Sequence, residues 1–352
     1  MVARDRKGVS MKMRYGWMAI TALICLALGS AQGMAADITG AGSTFVFPIL
    51  SKWSDAYTGG DKINYQSIGS GGGIQQIEAK TVTFGTSDKP LAMSELDKYA
   101  MTQFPVIVGG ESLVVNLPGI QPGQLVLDGP TLANIYLGNV KTWNDPAIKK
   151  LNPKLSLPSI PILVVHRADG SGTTFIFANY LSKVSPQWAS KVGADTALDW
   201  PAGVGGKGNE GVAGNVQQLA GSIGYVEYAY AIQNHLTYTK LINRAGKTLD
   251  PSIDTFTAAA ASADWVGASS QAFNMVLVDQ PGANAWPIVG ATWVIVYKNP
   301  PDKAATASAL KFFKWSYENG DAAAKSLDYV ALPPNAVKAI EASWKNIQGS
   351  GM

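Results

Sequence analysis

Three observations predict an α/β fold in two lobes for this chain of 352 residues. Short apolar runs alternate with stretches of helical period, as where Ile63–Ile68 gives way to Ile74 and Ile77. Gly/Ser/Thr turns stand where such a strand hands over to a helix. Two further strands, Ser112–Asn116 and Ala291–Tyr297, each follow a stretch bearing Gly or Pro, and they read as places where the chain crosses between lobes. Apolar residues make up 47% and charged ones 15%, so the chain buries a large core and is no disordered polyelectrolyte.

The elements follow in chain order. Residues 1–36 read as a secretory signal: basic residues to Arg14, an apolar run from Trp17 to Leu28, then small residues to Ala36, with cleavage after Ala36 or at Gly33. The apolar run is shorter than the ~20 residues of a spanning helix, which opposes an uncleaved anchor. Cys25 lies inside that run, so the exported chain holds no cysteine for disulfides, thiolate chemistry or metal ligation. Formal charge is +3, but without the leader 23 Lys and Arg face 24 Asp and Glu, and bulk charge gives no support for a nucleic-acid partner. Phe47–Tyr57 has helical spacing; Ile63–Ile68 is a strand; Gly69–Gly73 opens a short helix; Thr81–Phe84 is a strand ending in a turn to Pro90. Ile160–His166 is a strand, Arg167–Gly172 a loop and Thr173–Val184 a helix. This alternation implies largely parallel pairing. The two crossings divide the chain into a discontinuous first lobe, 37–112 with 290–352, and a second lobe, 113–289, joined by a two-strand hinge.

Three turns share one design, at Gly40–Thr44, Gly69–Gly73 and Asp169–Thr173. Helix N-termini offer unpaired N–H groups and partial positive charge. Glycines admit a ligand close to the backbone, and Ser and Thr add hydroxyl donors. Together they describe a site for a small oxyanion. Arg167 stands where a strand ends in the third turn, Asp169 is spaced to orient its guanidinium, and Asp88 follows the strand of the first lobe. Each of these has a plainer reading, as a cap, a surface charge or a turn residue. Other motifs fail on context. Gly203–Gly208 matches a dinucleotide pattern but follows no buried strand, and Gly246-Lys-Thr248 lacks the earlier glycine of a phosphate loop. With His166 and His235 as the only histidines, there is little material for a metal cluster or a Ser–His dyad. His166 points to the opposite face from Arg167, and most of the ten Trp belong to the core.

The segments ITGAGSTF (38–45), YQSIGSGGGIQQI (65–77), FGTSDKPL (84–91), RADGSGTTFIF (167–177), GGKGNEGVAGNVQQLAGSIGYVEYAYA (205–231) and ALKFFKWSY (309–317) carry a resemblance. The chain resembles the periplasmic phosphate-binding proteins of bacterial high-affinity phosphate ABC importers, the PstS family, over nearly everything after Ala36. That resemblance implies a type II periplasmic-binding-protein fold, with inorganic phosphate held in the interlobe cleft and no metal, cofactor or catalysis. It also implies permease and ATPase partners in the membrane and a monomer in the periplasm. Carried over by motif, the ligand residues are Thr44, Phe45, Ser70, Asp88, Arg167, Ser171, Gly172 and Thr173, with Asp169 behind Arg167. Val46, Ser43 and Gly71 depart from the usual pattern, and His166 replaces a basic residue, which implies pH-dependent charge near the pocket.

Within this reading Asp88 is an acceptor beside an anion, which suits a ligand that brings its own proton. Phosphate carries one at neutral pH and sulfate does not, so an unmatched carboxylate rejects sulfate by up to ~10⁴–10⁵-fold. Another oxyanion binder, for sulfate or molybdate, and a phosphate-ester hydrolase are the competing readings. The hydrolase needs a nucleophile–base pair that the sequence does not supply. An adhesin or signalling role on the same fold also stays open.

Overall fold

A computed structural model describes residues 37–351. The signal reading of residues 1–36 lies outside them. Strands β1 (Asp37–Gly42), β2 (Lys62–Ser67), β3 (Phe84–Ser87), β4 (Met101–Val115), β5 (Val126–Asp128), β6 (Leu163–Arg167), β7 (Val204–Gly206), β8 (Ser222–Glu227), β9 (Thr237–Tyr238), β10 (Lys240–Ile242), β11 (Thr248–Leu249) and β12 (Val289–Tyr297) form two sheets. The larger runs β2-β1-β3-β12-β4-β8-β6-β7, with β9 also on β4; the smaller is β11-β10-β5.

Parallel pairing holds at the outer strands, β1 with β2 and β3, and β6 with β7 and β8. The centre is antiparallel, because β4 and β12 run against their neighbours. The sheet is therefore mixed, not largely parallel. Antiparallel pairing is what two central strands crossing in opposite directions produce.

β4 is longer than the sequence suggests. Gly109 and Gly110 read as a break, yet 15 residues run through them as one strand. These glycines answer to packing: a Cβ on Gly110 would strike the Phe256 ring, and one on Gly109 would lie 2.8 Å from the Phe45 ring. Pro105, which has no N–H to give, sits where the register with β12 shifts between Thr292 and Trp293. At Gly110 the strand exchanges partners, pairing β12 up to that residue and β8 from Glu111 onward.

β3 also departs from expectation. Thr81–Thr83 only leads into it, Thr83 N bonding to Thr39 O at 2.8 Å, and the strand proper is the apparent turn Phe84–Ser87. Gly85 is enclosed, its would-be Cβ 2.9 Å from Ile77, so closeness of packing buries this strand without apolar side chains. β6 extends one residue beyond the expected strand and ends on Arg167 itself. Helices Phe47–Ala56, Ser70–Glu78 and Gly172–Val184 fall within a residue or two of their sequence readings. Seven of the nine tryptophans among the described residues are buried. No helix among those residues is long and apolar enough to cross a membrane.

Candidate functional site

The starts of helices Ser70–Glu78, Gly172–Val184 and Gly208–Gln218 converge with the loop after β1. Helix Ser70–Glu78 starts behind Gly69, whose φ of +87° and contact with Asp169 exclude a side chain. Helix Gly172–Val184 is capped by Ser171, whose Oγ accepts from Thr174 N at 3.0 Å. Its first intrahelical bond is Phe175 N to Ser171 O, so the amides of Gly172 and Thr173 lie ahead of the ladder and face outward. A Cβ on Gly172 would stand 2.5 Å from Asp88 Oδ2 and from Ser70 Oγ, which places this helix start directly against the end of β3 and the start of helix Ser70–Glu78.

The hydroxyls are arranged to donate. Thr44 Oγ1 accepts from Asn209 N at 3.2 Å and Asn209 Nδ2 at 2.7 Å. Thr173 Oγ1 accepts from Arg167 Nη1 and Asn209 Nδ2, both at 3.2 Å. Ser70 Oγ accepts from Asp88 N at 3.1 Å, and Ser171 Oγ from the cap bond. Thr44 and Thr173, each accepting from two N–H groups, have only their protons left to offer, whereas Ser70 and Ser171 each accept from one. All four are buried.

Arg167 supplies the fixed charge. Its Nε and Nη2 reach Asp169 Oδ1 at 2.8 Å and Oδ2 at 2.5 Å, a two-pronged ion pair, and the residue is 3% exposed. Burial would lower the guanidinium pKa, but the bond and charge of Asp169 overcome it and hold the pKa raised. For Asp169, burial pushes upward and Arg167, helped by Gly208 N, brings the carboxyl below its usual range.

Asp88 is held by hydroxyls from the loop after β1, from β12 and from the start of helix Ser70–Glu78. Ser43 Oγ donates to Oδ1 at 2.6 Å and Oδ2 at 2.7 Å, Thr292 Oγ1 to Oδ1 at 2.6 Å, and Ser70 Oγ lies 3.4 Å from Oδ2. Burial pushes this carboxyl up to about 6, against the lowering bonds of Ser43 and Thr292, the charge of Arg167 and the bond from Ser70. At neutral pH it is mostly ionised and accepts hydrogen bonds.

All nine residues singled out by sequence gather here, with one difference. The Phe45 amide donates to Ser43 Oγ at 3.0 Å, and its ring packs edge-on to Tyr329, so Phe45 builds the loop as well as lining it. His166 lies on the other face of β6, stacked on Trp200, and burial lowers its pKa from the usual histidine value. Sequence reading missed Ser43, Thr292 and Asn209 as working parts. Asn209 is the most connected of them, since its Oδ1 also accepts from Glu227 N at 3.0 Å and so ties Thr44 and Thr173 to the sheet. We expect Asn209→Ala to weaken oxyanion affinity by about ten- to a hundredfold, as buried partners lose roughly 1–3 kcal/mol of satisfied bonding. Titration calorimetry reads this, and an unchanged affinity would remove Asn209 from the site.

Other bonds also cross between the elements that bear these residues. Gly71 N donates to Gly170 O at 2.8 Å, Tyr230 OH to Thr44 O at 2.7 Å, and Lys89 pairs with Asp195 at 2.9 Å on the surface.

Comparison with known proteins agrees with this architecture. A family model described as a PBP superfamily domain matches residues 29–319. The phosphate-binding protein PstS of Xylella fastidiosa is 55% identical over 315 residues, covering 89% of this chain and 86% of that protein. Its namesake in Pasteurella multocida is 50% identical over 313 residues, covering 88% and 90%. A solved high-affinity periplasmic phosphate-binding protein with bound phosphate superposes with a TM-score of 0.72 at 21% identity, covering 90% of this chain and 97% of that one. With half or more of the residues identical to these relatives over most of both lengths, the chain belongs to the PstS family of phosphate-binding proteins, within the PBP superfamily.

Proposed function

We propose that this chain is an exported receptor that captures inorganic phosphate between its two lobes and delivers it to the permease of an ABC importer powered by its ATPase subunits. It works as a monomer without metal or cofactor. The observation that carries the reading is the pairing of hydroxyls with filled lone pairs, around a fixed guanidinium, with a single buried acceptor at Asp88. The hydroxyls and free amides replace the hydration an anion loses on burial, which would otherwise be very costly. Arg167 and its partner Asp169 add orientation with little net charge. Asp88 then selects for an anion bearing a proton. The ligand groups we assign are Thr44, Phe45, Ser70, Asp88, Arg167, Ser171, Gly172 and Thr173, with Asp169 holding Arg167.

Binding rather than hydrolysis fits the geometry. Of the three hydroxyls on the Asp88 carboxylate, those of Ser43 and Thr292 lie at 2.6 Å, and Ser70 Oγ, at the start of its helix, stands off at 3.4 Å from Oδ2. A calorimetric panel of phosphate, arsenate and sulfate tests the reading: one-to-one binding of the first two and none of the third is the expected result. Sustained hydrolysis of a phosphate ester, abolished in Ser70→Ala, would replace it with an enzymatic one.

Closure is part of the same proposal, with lobes of 37–112 plus 290–352 and 113–289 turning about β4 and the entry to β12. Small-angle scattering should give a smaller radius of gyration with phosphate than without. An equal radius, at concentrations where calorimetry shows saturation, would mean that the site is closed before the ligand arrives.

A further inference from the structure

Two carboxyl groups unused by the binding site stand side by side in the middle of the sheet. Glu111 is the first residue of β4 to pair with β8, and its direct cross-strand partner is Glu227. Such partners share one face of the sheet, with Cβ atoms about 4.5–5.5 Å apart. Both residues are 0% exposed. Glu227 Oε2 accepts from Ala229 N at 2.9 Å, but Glu227 Oε1 and both oxygens of Glu111 have no partner.

Their surroundings offer no balancing cation. Glu111 is acted on by Asp88, which follows β3, by Arg167 at the end of β6, and by Glu227 on β8. Arg167 is already committed to Asp169. Glu227 is acted on by the Tyr329 hydroxyl and by the charges of Asp328 and Asp88. The phenols of Tyr136 and Tyr225 feel Glu111, and that of Tyr230 feels Glu227. Two unpaired charges at this depth would be very costly, and neighbouring buried carboxyls resolve that cost by keeping a proton. Burial, with the charge of Asp88, pushes Glu111 well above the usual carboxylate range, and burial likewise raises Glu227.

We propose that Glu111 and Glu227 hold one proton between them, Glu111 donating to the free oxygen of Glu227, and that this dyad keeps a second negative charge from forming behind Asp88, so that loss of its proton weakens anion capture. The inference rests on the phosphate reading for its last clause only. The dyad joins β4 to β8 at the residue where β4 leaves β12, so its ionisation acts on the strand that links the lobes as well as on the field in the cleft. Glu111 is a positioning residue; it does not touch the ligand.

Glu111→Gln tests this, because its amide donates to Glu227 at every pH. Infrared difference spectra of wild type against E111Q at neutral pH should show the C=O stretch of a protonated carboxyl, present only in the wild type. Without phosphate, the melting temperature of the wild type should fall as pH rises through the dyad's titration. A carboxyl whose pKa is raised by folding stabilises while it keeps its proton and loses that contribution on giving it up. The E111Q curve should lack this fall. From about pH 6 to about pH 10, phosphate affinity of the wild type should drop about tenfold relative to E111Q, the effect of one added buried charge at moderate range. The ligand's own titration cancels in that ratio. If E111Q does not fold, Glu227→Gln should remove the same infrared band. Absence of the band, or melting curves that run parallel, would overturn the dyad. Affinity curves that run parallel while the band is present would overturn its role in capture. A wild type that binds no phosphate would overturn the functional reading alone, leaving the band and the melting curves to decide the dyad.

Discussion

Arg167→Ala lowers phosphate affinity by about a hundredfold or more. The truncation removes the guanidinium of the cleft and strands its partner: Asp169 is left with backbone amides alone, that of Gly208 at 3.0 Å among them, beside a pocket that must accept an anion. Removing one member of a buried, hydrogen-bonded charge pair costs roughly 2–5 kcal/mol, much of it from the charge left behind. Thr173 also loses one of the two N–H donors that fix its hydroxyl. The double variant Arg167→Ala with Asp169→Asn should therefore recover part of the loss, since it deletes the stranded charge and keeps an acceptor for Gly208. Calorimetry on the three proteins measures the coupling directly. A double variant that binds no better than the single one would show that the two side chains act independently.

Asp88→Asn is expected to raise sulfate binding above that of the wild type, with phosphate affinity changing far less. The surrounding hydroxyls dictate how the new amide sits. Thr292 donates to Oδ1 alone while Ser43 reaches both oxygens, so the amide oxygen takes the Oδ1 place and the NH₂ falls at Oδ2, beside Ser70 and the start of helix Gly172–Val184. The cleft then presents a donor where it presented a charged acceptor. Sulfate, which has no proton to give, gains a bond and loses a repulsion. An acceptor that rejects an unmatched ligand is worth up to ~10⁴–10⁵-fold, and most of that margin should disappear. Sulfate titrated to millimolar concentration decides the matter. If the variant still ignores it while holding phosphate, discrimination resides in the size of the cleft or in its number of donors.

The parts of this site that were legible in the sequence are those whose residue types are out of place in an ordinary element. Thr44, Ser70 and the run from Arg167 to Thr173 lie in glycine-rich turns ahead of helices, where local chemistry and position point the same way. Thr292 is invisible by that logic: inside a nine-residue buried strand a threonine reads as an ordinary β-former, and only the third dimension brings it to Asp88. Asn209 reads as a helix-start residue, although its side chain bonds to both lobes. β3 is hidden in the sequence because Gly85-Thr-Ser87 has the composition of a turn, and its burial comes from Ile77 and Gly73 closing over it. The glycines of β4 misled in the same way, since a residue without a side chain marks a close neighbour as often as it marks a bend.

The contact between Gly71 and Gly170 has a consequence for how such a receptor is tuned. A Cβ on either glycine would lie 3.0 Å from the Cα of the other, so the two lobes meet here main chain to main chain, with no thickness to spare. Each methyl group added at this seam acts as a shim. It widens the gap between the jaws without deleting any side chain of the cleft. Holding strength and release rate thus become adjustable at a point that takes no part in recognition, and lineages or engineers can regrade the one without rewriting the other.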